Sequence, residues 1–243
     1  MPYFRDRFID QIVILTGAGV SAESGLSTFR DSDGLWEKHD PMEIATPEAL
    51  ERDPELVLGF YNARRQQLGD VQPNAAHQAI ARLQQEFEGS VFLVTQNVDD
   101  LHERGGSHQV CHMHGALNSM MCRLCGDAMP ALPSFDRQSD CHSCGESGGL
   151  RPDIVFFGEM PYHMPDIEAN LAACSLFVSI GTSGAVYPAA GFVRNARYAG
   201  AICVEVNKEA SDVAGYFHHH YLSLIHISEP TRHDSGSRMP SSA

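Results

Sequence analysis

The sequence lacks long hydrophobic runs and is poor in basic residues. Its longest apolar segments, such as residues 12–15 and 176–178, fall far short of the ~20 residues that cross a bilayer as a helix, so we expect no membrane partner. There are 17 Lys and Arg against 31 Asp and Glu, a formal net charge of −14. The net charge is negative, like that of a nucleic-acid backbone, so we expect no nucleic-acid partner. Residues 1–10 lack the basic-then-apolar pattern of a secretion signal, which favours a cytoplasmic protein.

Apolar, β-branched runs recur along the chain and predict buried strands. The first, residues 12–15, leads into a glycine-containing turn and a helix start. Similar runs follow at residues 91–94, 154–157, 176–180 and 201–206, with helix-like segments at 75–87 and 185–199 among them. Runs that are apolar on both faces are typical of a parallel sheet covered by helices, so we predict an α/β fold.

Two segments depart from this alternation and predict a small second lobe. Residues 46–68 read as helical, with Thr46 and Asp53 as N-caps, each followed by a proline at the first turn. Residues 121–149 are rich in Cys, Gly, Ser and Pro and have little periodic apolar pattern. Such a segment needs a metal ion to order it.

Four of the seven cysteines form two C-x-x-C pairs, separated by fifteen residues. They are Cys122, Cys125, Cys141 and Cys144. This spacing matches zinc ribbons, and four thiolates close a tetrahedral site without a position for water, so we predict one structural Zn²⁺. The remaining cysteines are expected to be small buried side chains: Cys111, Cys174 and Cys203.

Polar clusters follow directly after four of the predicted strands, at residues 16–19, 95–99, 181–183 and at Asn207. Ligands of open α/β sheets bind at the carboxyl ends of the strands, so these segments are expected to converge on one crevice. Three histidines near it are candidates for acid–base chemistry: His102, His112 and His114. His114 stands apart because it precedes Gly115, where the chain passes into the metal lobe.

An ordered series of motifs resembles the sirtuins, a family of NAD-dependent protein-lysine deacylases. The motifs are GAGVSAESGLSTFR at 17–30, TQNVDDLHER at 95–104, His114-Gly115, the four cysteines, FGE at 157–159, GTS at 181–183 and VEVN at 204–207. They cover roughly residues 11–209. The resemblance implies a Rossmann-type parallel sheet with helices on both faces, a zinc-ribbon and helical lobe, and NAD⁺ between the two.

The resemblance also assigns the cofactor-binding residues. It places Gly17, Ala18, Gly19 and Ser183 at the phosphates, with Gly181 and Thr182 beside them, and Ala22, Phe29 and Arg30 in a cofactor loop. It places Gln96 at the nicotinamide ribose, Asn97 and Asp99 at the nicotinamide, and Asn207 and Glu209 at the adenine ribose. Backbone N–H groups at a glycine turn suit pyrophosphate, and Asn with Asp can pair with a carboxamide.

The reaction that the resemblance implies joins NAD⁺ to an acyl-lysine and uses His114 as the base that takes a proton from the ribose hydroxyls. The products are free lysine, nicotinamide and O-acyl-ADP-ribose. Acylated-lysine proteins are the implied partners, bound as an extended peptide along a groove. The groove residues are Phe157, Gly158, Glu159 and Val186.

One helical stripe bears on the acyl group. Val57, Tyr61, Arg64 and Leu68 share a face, so Arg64 interrupts a mainly apolar surface. Its stem can pack while its head reaches water, or Arg64 and Tyr61 can together bind an anion. Tyr61-x-x-Arg64 with Ala45 resembles the acyl pocket of desuccinylase and demalonylase sirtuins, which implies succinyl and malonyl removal together with some acetyl removal.

The end of the sequence departs from the family. Residues 222–232 resemble the translation of a sequencing-library adaptor, so we predict that 222–243 is an artefactual tail, with a natural polar tail as the alternative. A sirtuin would continue after Phe217 into a loop and a final helix. Their replacement puts the adenine contacts and the activity of this chain in question.

The predicted organisation is one catalytic domain, residues 1–221, acting as a monomer. Its large part comprises about 8–40, 74–113 and 150–221, with a helical insert at 41–73 and a zinc module at 114–149. Two other functions remain open on the sequence. One is mono-ADP-ribosyl transfer at the same NAD site, and the other is an NAD- and zinc-binding module that is inactive without the final helix.

Overall fold

The computed structural model describes residues 3–26 and 40–222. Its strands are β1 (Tyr3–Phe4), β2 (Arg7–Phe8), β3 (Gln11–Thr16), β4 (Ser90–Thr95), β5 (Cys111–His112), β6 (Gly115–Cys122), β7 (Ala128–Pro130), β8 (Leu150–Ile154), β9 (Leu176–Ile180), β10 (Ile202–Asn207) and β11 (His219–Leu222). Its helices are α1 (Gly19–Ala22), α2 (Pro41–Ile44), α3 (Pro47–Arg52), α4 (Pro54–Leu68), α5 (Ala75–Glu86), α6 (Leu101–Arg104), α7 (Met164–Ala173) and α8 (Phe192–Tyr198). Among the described residues, no helix has the length and apolar character needed to span a membrane.

Six strands form one sheet in the order β5-β4-β3-β9-β10-β11, and every neighbouring pair is parallel. Chain order therefore runs 3-2-1-4-5-6 across the sheet, as in dinucleotide-binding folds. The direction of winding reverses between β3 and β9. This reversal opens a crevice at the carboxyl ends of these two strands, which is where the sheet predicts a ligand.

The sheet buries both of its faces, as its apolar runs predicted. Ile12 and Ile14 of β3 pack on the α5 side, in a cluster that includes Ile80. The alternate residues Val13 and Leu15 pack on the opposite side, against α7 and α8. The predicted fold class is thus confirmed, with a hydrophobic layer between the sheet and the helices on each face.

The small lobe, residues 40–73 and 115–154, combines α2 to α4 with an antiparallel sheet in the order β7-β6-β8. Both predicted N-caps form. The Thr46 hydroxyl accepts from Ala49 N at 3.0 Å, and the Asp53 carboxylate accepts from Leu56 N at 3.0 Å. The core of the lobe lies between α4 and the small sheet and includes Leu58, Leu117, Met120, Phe135 and Leu150.

Two predicted elements were wrong in their extent or partner. The run at 154–157 is no strand of the parallel sheet, because Val155 N donates to His114 O and Phe157 N donates to Ala45 O, two different segments. The strand there is β8, which pairs with β6 and extends the small lobe beyond residue 149. The helix predicted at 185–199 is confined to α8, since Pro188 lacks a backbone N–H and a short 3₁₀ turn, Ala189–Gly191, precedes it.

The last described strand, β11, lies at the sheet edge beside β10, with Leu222 opposite Asn207. Two histidines at this edge make specific contacts although they are exposed: His218 Nδ1 accepts from Cys203 N at 2.9 Å, and His220 Nδ1 lies 2.8 Å from the buried Glu205 carboxylate. The predicted tail from residue 223 onward lies outside the described residues, as do Phe29 and Arg30.

Candidate active site

Two glycine turns meet at the carboxyl ends of β3 and β9. Gly17 N donates to Ile180 O at 3.1 Å, and Gly19 N donates to Gly181 O at 2.9 Å. A Cβ on Gly19 would lie 2.8 Å from Gly181 Cα, and Gly181 itself has a φ of +63°. Side chains would force these turns apart, so glycine is required where the backbones approach. Ala18 lies between the two glycines, and Ala22 ends α1 directly behind them.

The segments after β9 and β10 are joined to each other. Asn207 Nδ2 donates to Thr182 O at 2.7 Å, and Asp212 N donates to Ser183 O at 2.9 Å. Glu209 is exposed on the loop after β10. Sequence reasoning missed Glu205, a buried carboxylate that accepts from Ser211 N at 2.9 Å and so holds this loop.

The segment after β4 buries the two residues expected at the nicotinamide. Asn97 Nδ2 donates to Ser21 Oγ at 3.1 Å, and the Ser21 hydroxyl donates to Asp99 Oδ2 at 3.0 Å. Burial raises the pKa of Asp99, while hydrogen bonds from Leu101 N and Ser21 and the charge of His112 act in the opposite direction. Ser21 thus bridges Asn97 and Asp99, a role that the motif alone did not assign.

His114 lies at the start of the small lobe with one ring nitrogen engaged. Its Nδ1 is 3.1 Å from the backbone oxygen of Gln96, which can only accept, so Nδ1 carries the proton and Nε2 is left as an acceptor. Burial lowers the pKa of His114 below the ordinary value for imidazole. The imidazole is therefore neutral at neutral pH and able to act as a base.

His102 and His112, the other two candidate histidines, are held in different environments from that of His114. His102 is fully buried with Nε2 2.9 Å from Thr16 Oγ1, and burial lowers its pKa to about 3, which indicates a structural role. His77, which sequence reasoning did not single out, packs edge-on against the His102 ring, and its Nε2 lies 3.4 Å from Ser21 Oγ. His112 lies on β5, where both of its ring nitrogens face acceptors.

The residues expected at the acyl group come together. Ala45 is buried and its carbonyl accepts from Phe157 N at 2.8 Å, while the Tyr61 ring stacks on Phe156 with centroids 5.8 Å apart. Within residues 3–26 and 40–222, the Tyr61 hydroxyl has no hydrogen-bond partner, although burial raises the pKa of this phenol and so favours its neutral form. The hydroxyl is thus free to donate or accept.

Arg64 lies one helical turn from Tyr61, and few polar groups among the described residues balance its positive charge. Its one hydrogen bond in the described part of the chain goes to Gln67 Oε1 at 3.4 Å, and no carboxylate there lies within 4 Å. Burial lowers the pKa of Arg64, and the charge of Asp99 is the largest opposing influence. The neighbouring Arg65 is instead structural: its Nε donates to Leu117 O at 2.7 Å, tying α4 to β6.

The predicted groove residues divide into exposed and structural ones. Phe157 and Val186 are substantially exposed, and Gly158 has a φ of +90° with open space around it. The Glu159 carboxylate, by contrast, is bound at both oxygens by Arg151, at 2.6 and 2.9 Å, and also accepts from Phe156 N. Glu159 thus shapes the loop, and its carboxylate is already satisfied within the protein.

The four predicted cysteine ligands form a candidate metal centre. Their sulfur atoms all lie within 4.8 Å of one another, at 3.9 Å for Cys122 and Cys144 and 3.8 Å for Cys125 and Cys141. A tetrahedral zinc site with bonds of ~2.3 Å places its sulfurs about 3.8 Å apart. The donor set and spacing therefore suit Zn²⁺, with no ligand position left over.

The two halves of this centre share one backbone turn. Gly126 N donates to Cys122 O and Cys122 N donates to Asp127 O; Gly145 and Cys141 repeat both bonds with Glu146 as the last acceptor. Gly126 and Gly145 both have positive φ, at +82° and +77°. The repeated C-x-x-C-G sequence thus folds into two matching turns that present their sulfurs to one point.

The strand order and the glycine turns define an α/β protein of the Rossmann class, here joined to a four-cysteine lobe. Comparison with known proteins identifies the family within this class, since the model of the Sir2 family matches residues 17–188. The chain belongs to the Sir2 family. A Vibrio cholerae protein named NAD-dependent protein deacylase is 52% identical over 208 residues, covering 85% of each chain. A relative of the same name from Escherichia coli K12 is 48% identical over 227 residues, covering 90% of this chain and 81% of its own length.

Solved structures show the same relationship. A Sir2 homologue in complex with NAD superposes with a TM-score of 0.79 at 37% identity, covering 88% of this chain and 84% of the homologue. A Sir2–p53 peptide–NAD⁺ complex superposes with a TM-score of 0.73 at 26% identity, covering 88% of both chains. The sirtuin resemblance of the motifs is thereby confirmed.

Proposed function

We propose that this chain is an NAD-dependent protein-lysine deacylase with a preference for dicarboxylic acyl groups. The observation that carries the proposal is the neutral His114 imidazole at the crevice, with Nδ1 bonded to Gln96 O and Nε2 left to accept a proton. The Vibrio and Escherichia relatives carry the name NAD-dependent protein deacylase, which supports the same activity here.

The residues of the crevice fit NAD⁺. The contacting turns at Gly17–Gly19 and Gly181 allow a phosphate to approach the backbone closely. Asn97 is only 5% exposed and gives its amide N–H to Ser21, so its amide oxygen is the atom available to a carboxamide N–H. We assign Thr182, Ser183, Asn207 and Glu209 to the adenosine end of NAD⁺ and Gln96 to the nicotinamide ribose, next to His114, whose Nδ1 lies 3.1 Å from Gln96 O.

When bound by these residues, NAD⁺ would supply the electrophilic ribose carbon, with nicotinamide as its leaving group. His114 then takes a proton from a ribose hydroxyl at Nε2, and its Nδ1–H stays on Gln96 O, so that the ring keeps its orientation. The network of Ser21, Asn97 and Asp99 orients the nicotinamide end from a buried position that excludes bulk water.

Acyl specificity follows from Arg64 and Tyr61. A distal carboxylate would pair with the Arg64 guanidinium and accept from the Tyr61 hydroxyl, neither of which has a carboxylate partner among the described residues, beside the small side chain of Ala45. An acetyl group would leave Arg64 unpaired, and a site built for a polar group discriminates strongly against a substrate without it. Succinyl-lysine and malonyl-lysine proteins are thus the favoured substrates, with acetyl-lysine accepted less well.

The remaining roles are structural or positional. Zinc at the four cysteines orders the small lobe, and Phe157, Gly158 and Val186 border the groove for an extended peptide. The boundaries of the single domain, the cytoplasmic location, the monomeric state and the artefactual origin of the tail stay predictions of the sequence.

The test is to assay the full chain with NAD⁺ and matched succinyl-lysine and acetyl-lysine peptides, following nicotinamide release and peptide mass. We expect Arg64→Met to lower kcat/KM for the succinyl peptide by about 100-fold and to change acetyl removal by less than about threefold, since one charge-assisted contact is lost. His114→Ala should abolish removal of both groups.

Arg52→Met is the matched control, because Arg52 is an exposed arginine of the same lobe and should leave both rates unchanged. Unaltered desuccinylation in Arg64→Met would refute the pocket assignment. A peptide that gains the mass of ADP-ribose would establish transferase activity instead. A folded, zinc-loaded chain that binds NAD⁺ without turnover would make it a binding module.

A further inference from the structure

His112, two residues before the proposed base, is held between two acceptors. Its Nδ1 lies 3.1 Å from the backbone oxygen of Asn97, and its Nε2 lies 2.7 Å from Glu103 Oε1. A carbonyl oxygen and a carboxylate can only accept, so both ring nitrogens must donate. The geometry therefore requires the doubly protonated, cationic form of the ring.

The contacts of this cation join three elements around the loop between β4 and α6, residues 96–100, which we call the Asn97 loop. His112 comes from β5, its first acceptor belongs to the Asn97 loop, and Glu103 lies on α6. The His112 side chain is 17% exposed and that of Glu103 is 43% exposed, so the ring is largely shielded while its carboxylate partner reaches solvent.

The charged surroundings favour the same form. Glu103 and Asp99 face His112 as carboxylates, while the buried His102 nearby is neutral. Burial acts to lower the pKa of His112, but the bond and charge of Glu103, the Asn97 carbonyl and the charge of Asp99 outweigh it, so the pKa is raised above the ordinary value. Despite its own burial, Glu103 has a lowered pKa because of the bond from His112.

We propose that His112 is a positioning residue for the Asn97 loop and that it acts only as an imidazolium. This inference rests on the proposed function, since the loop it holds carries the nicotinamide-binding side chains. Loss of one proton would leave a ring nitrogen lone pair facing an acceptor, so either the Asn97 carbonyl or Glu103 would be released.

His112 and His114 must then be in opposite protonation states during turnover. Activity rises with pH as His114, whose pKa is lowered, becomes neutral, and it falls as pH rises through the raised pKa of His112. The plot of activity against pH is therefore bell-shaped, and its alkaline limb reports the loss of the proton from His112. The stabilisation from His112 is likewise complete below its unfolded-state pKa of about 6.5 and is lost as pH rises through its folded-state pKa.

The test compares kcat/KM for NAD⁺ across pH in the wild type, His112→Gln, Glu103→Gln and His108→Gln. The glutamine side chain in His112→Gln can donate to one acceptor and carries no charge, so we expect about a tenfold lower kcat/KM at neutral pH and no alkaline limb. Glu103→Gln removes the partner charge and should move the alkaline limb down by about one pH unit. His108 is an exposed histidine of the loop before β5, and its variant should retain the wild-type profile.

Histidine NMR provides a readout that needs no turnover. The His112 ring should titrate above the ordinary imidazole range in the wild type and at lower pH in Glu103→Gln. Titration of His112 at or below the ordinary value would overturn the proposal. A His112→Gln profile that is lowered equally at every pH would also overturn it, because a merely structural role predicts that result. If His112 titrates above the ordinary imidazole range in a chain that shows no deacylation, the positioning role of His112 stands and the proposed function is refuted.

Discussion

The six-stranded sheet buries both faces under helices, whereas the three-stranded sheet of the small lobe leaves much of its connecting chain exposed. Val13, Leu93 and Phe177 are completely inaccessible in the first region. In the second, Leu124 is 62% exposed, and Cys125 and Cys144 lie at the surface. Hydrophobic burial is therefore sufficient to order the sheet domain, while the cysteine turns depend on the metal that their sulfurs suit.

The two regions also divide the chemistry. The sheet domain provides rigid strand ends, from which short turns place backbone N–H groups and the Asn97 loop. The small lobe provides α4 with Tyr61 and Arg64, and its first strand follows directly from His114. Under the proposed function, cofactor recognition would rely on the hydrophobically stabilised region and acyl recognition on the metal-stabilised one.

Removal of zinc should have the largest effect, and it should act on the small lobe alone. We expect Cys141→Ser or a strong chelator to disorder residues 115–154, because structural zinc contributes about 10–16 kcal/mol of apparent folding free energy in small metal modules. Hydrogen exchange and zinc content would measure this, with the sheet domain remaining protected. Cys174→Ser, at a buried cysteine on the sheet side, is the control and should retain zinc. Unchanged exchange in the zinc-free small lobe would contradict the comparison.

One core substitution in each region should have an effect of intermediate size. Phe177→Ala in the sheet and Phe135→Ala in the small lobe each remove a buried ring, a change that costs about 3–5 kcal/mol. We expect Phe177→Ala to lower the free energy of global unfolding and Phe135→Ala to raise hydrogen exchange mainly in the small lobe. Hydrogen exchange during denaturant unfolding distinguishes global unfolding from local opening of the small lobe. Equal losses of global unfolding free energy in both variants would show that the two regions unfold as one cooperative unit.

A matched pair of helix caps tests the same division with the smallest effect. Asn74 caps α5 in the sheet domain, and Asp53 caps α4 in the small lobe. Each substitution by alanine should cost about 0.5–2 kcal/mol. We expect Asn74→Ala at the upper end, because its side chain also donates to Val20 O and Ser24 Oγ. An equal loss of global stability in Asp53→Ala would argue against independent unfolding of the small lobe.

Local signals in the sequence located most of the elements. The strands β3, β4, β9 and β10 were predicted within a residue or two at their ends because their apolar runs need no distant partner to be seen. The caps at Thr46 and Asp53 and the repeated C-x-x-C-G turns are local for the same reason. The run at 154–157 misled because its aromatic ring at Phe156 packs on Tyr61, which is far away in the chain, as well as under the neighbouring Arg151.

The fold class, the family motifs, the four cysteine ligands and three candidate histidines could be predicted from the sequence, since each depends on residue types at short spacings, and the family resemblance selected His114 among the three. Only the tertiary structure decided which polar groups meet. It joined Ser21 to Asn97 and Asp99, occupied Glu159 with Arg151, separated structural Arg65 from under-compensated Arg64, and set His112 between two acceptors. The bonds of Ser21 and of Arg65 connect residues more than fifty positions apart, and those of Glu159 and His112 connect residues on different segments, so no local pattern encodes them.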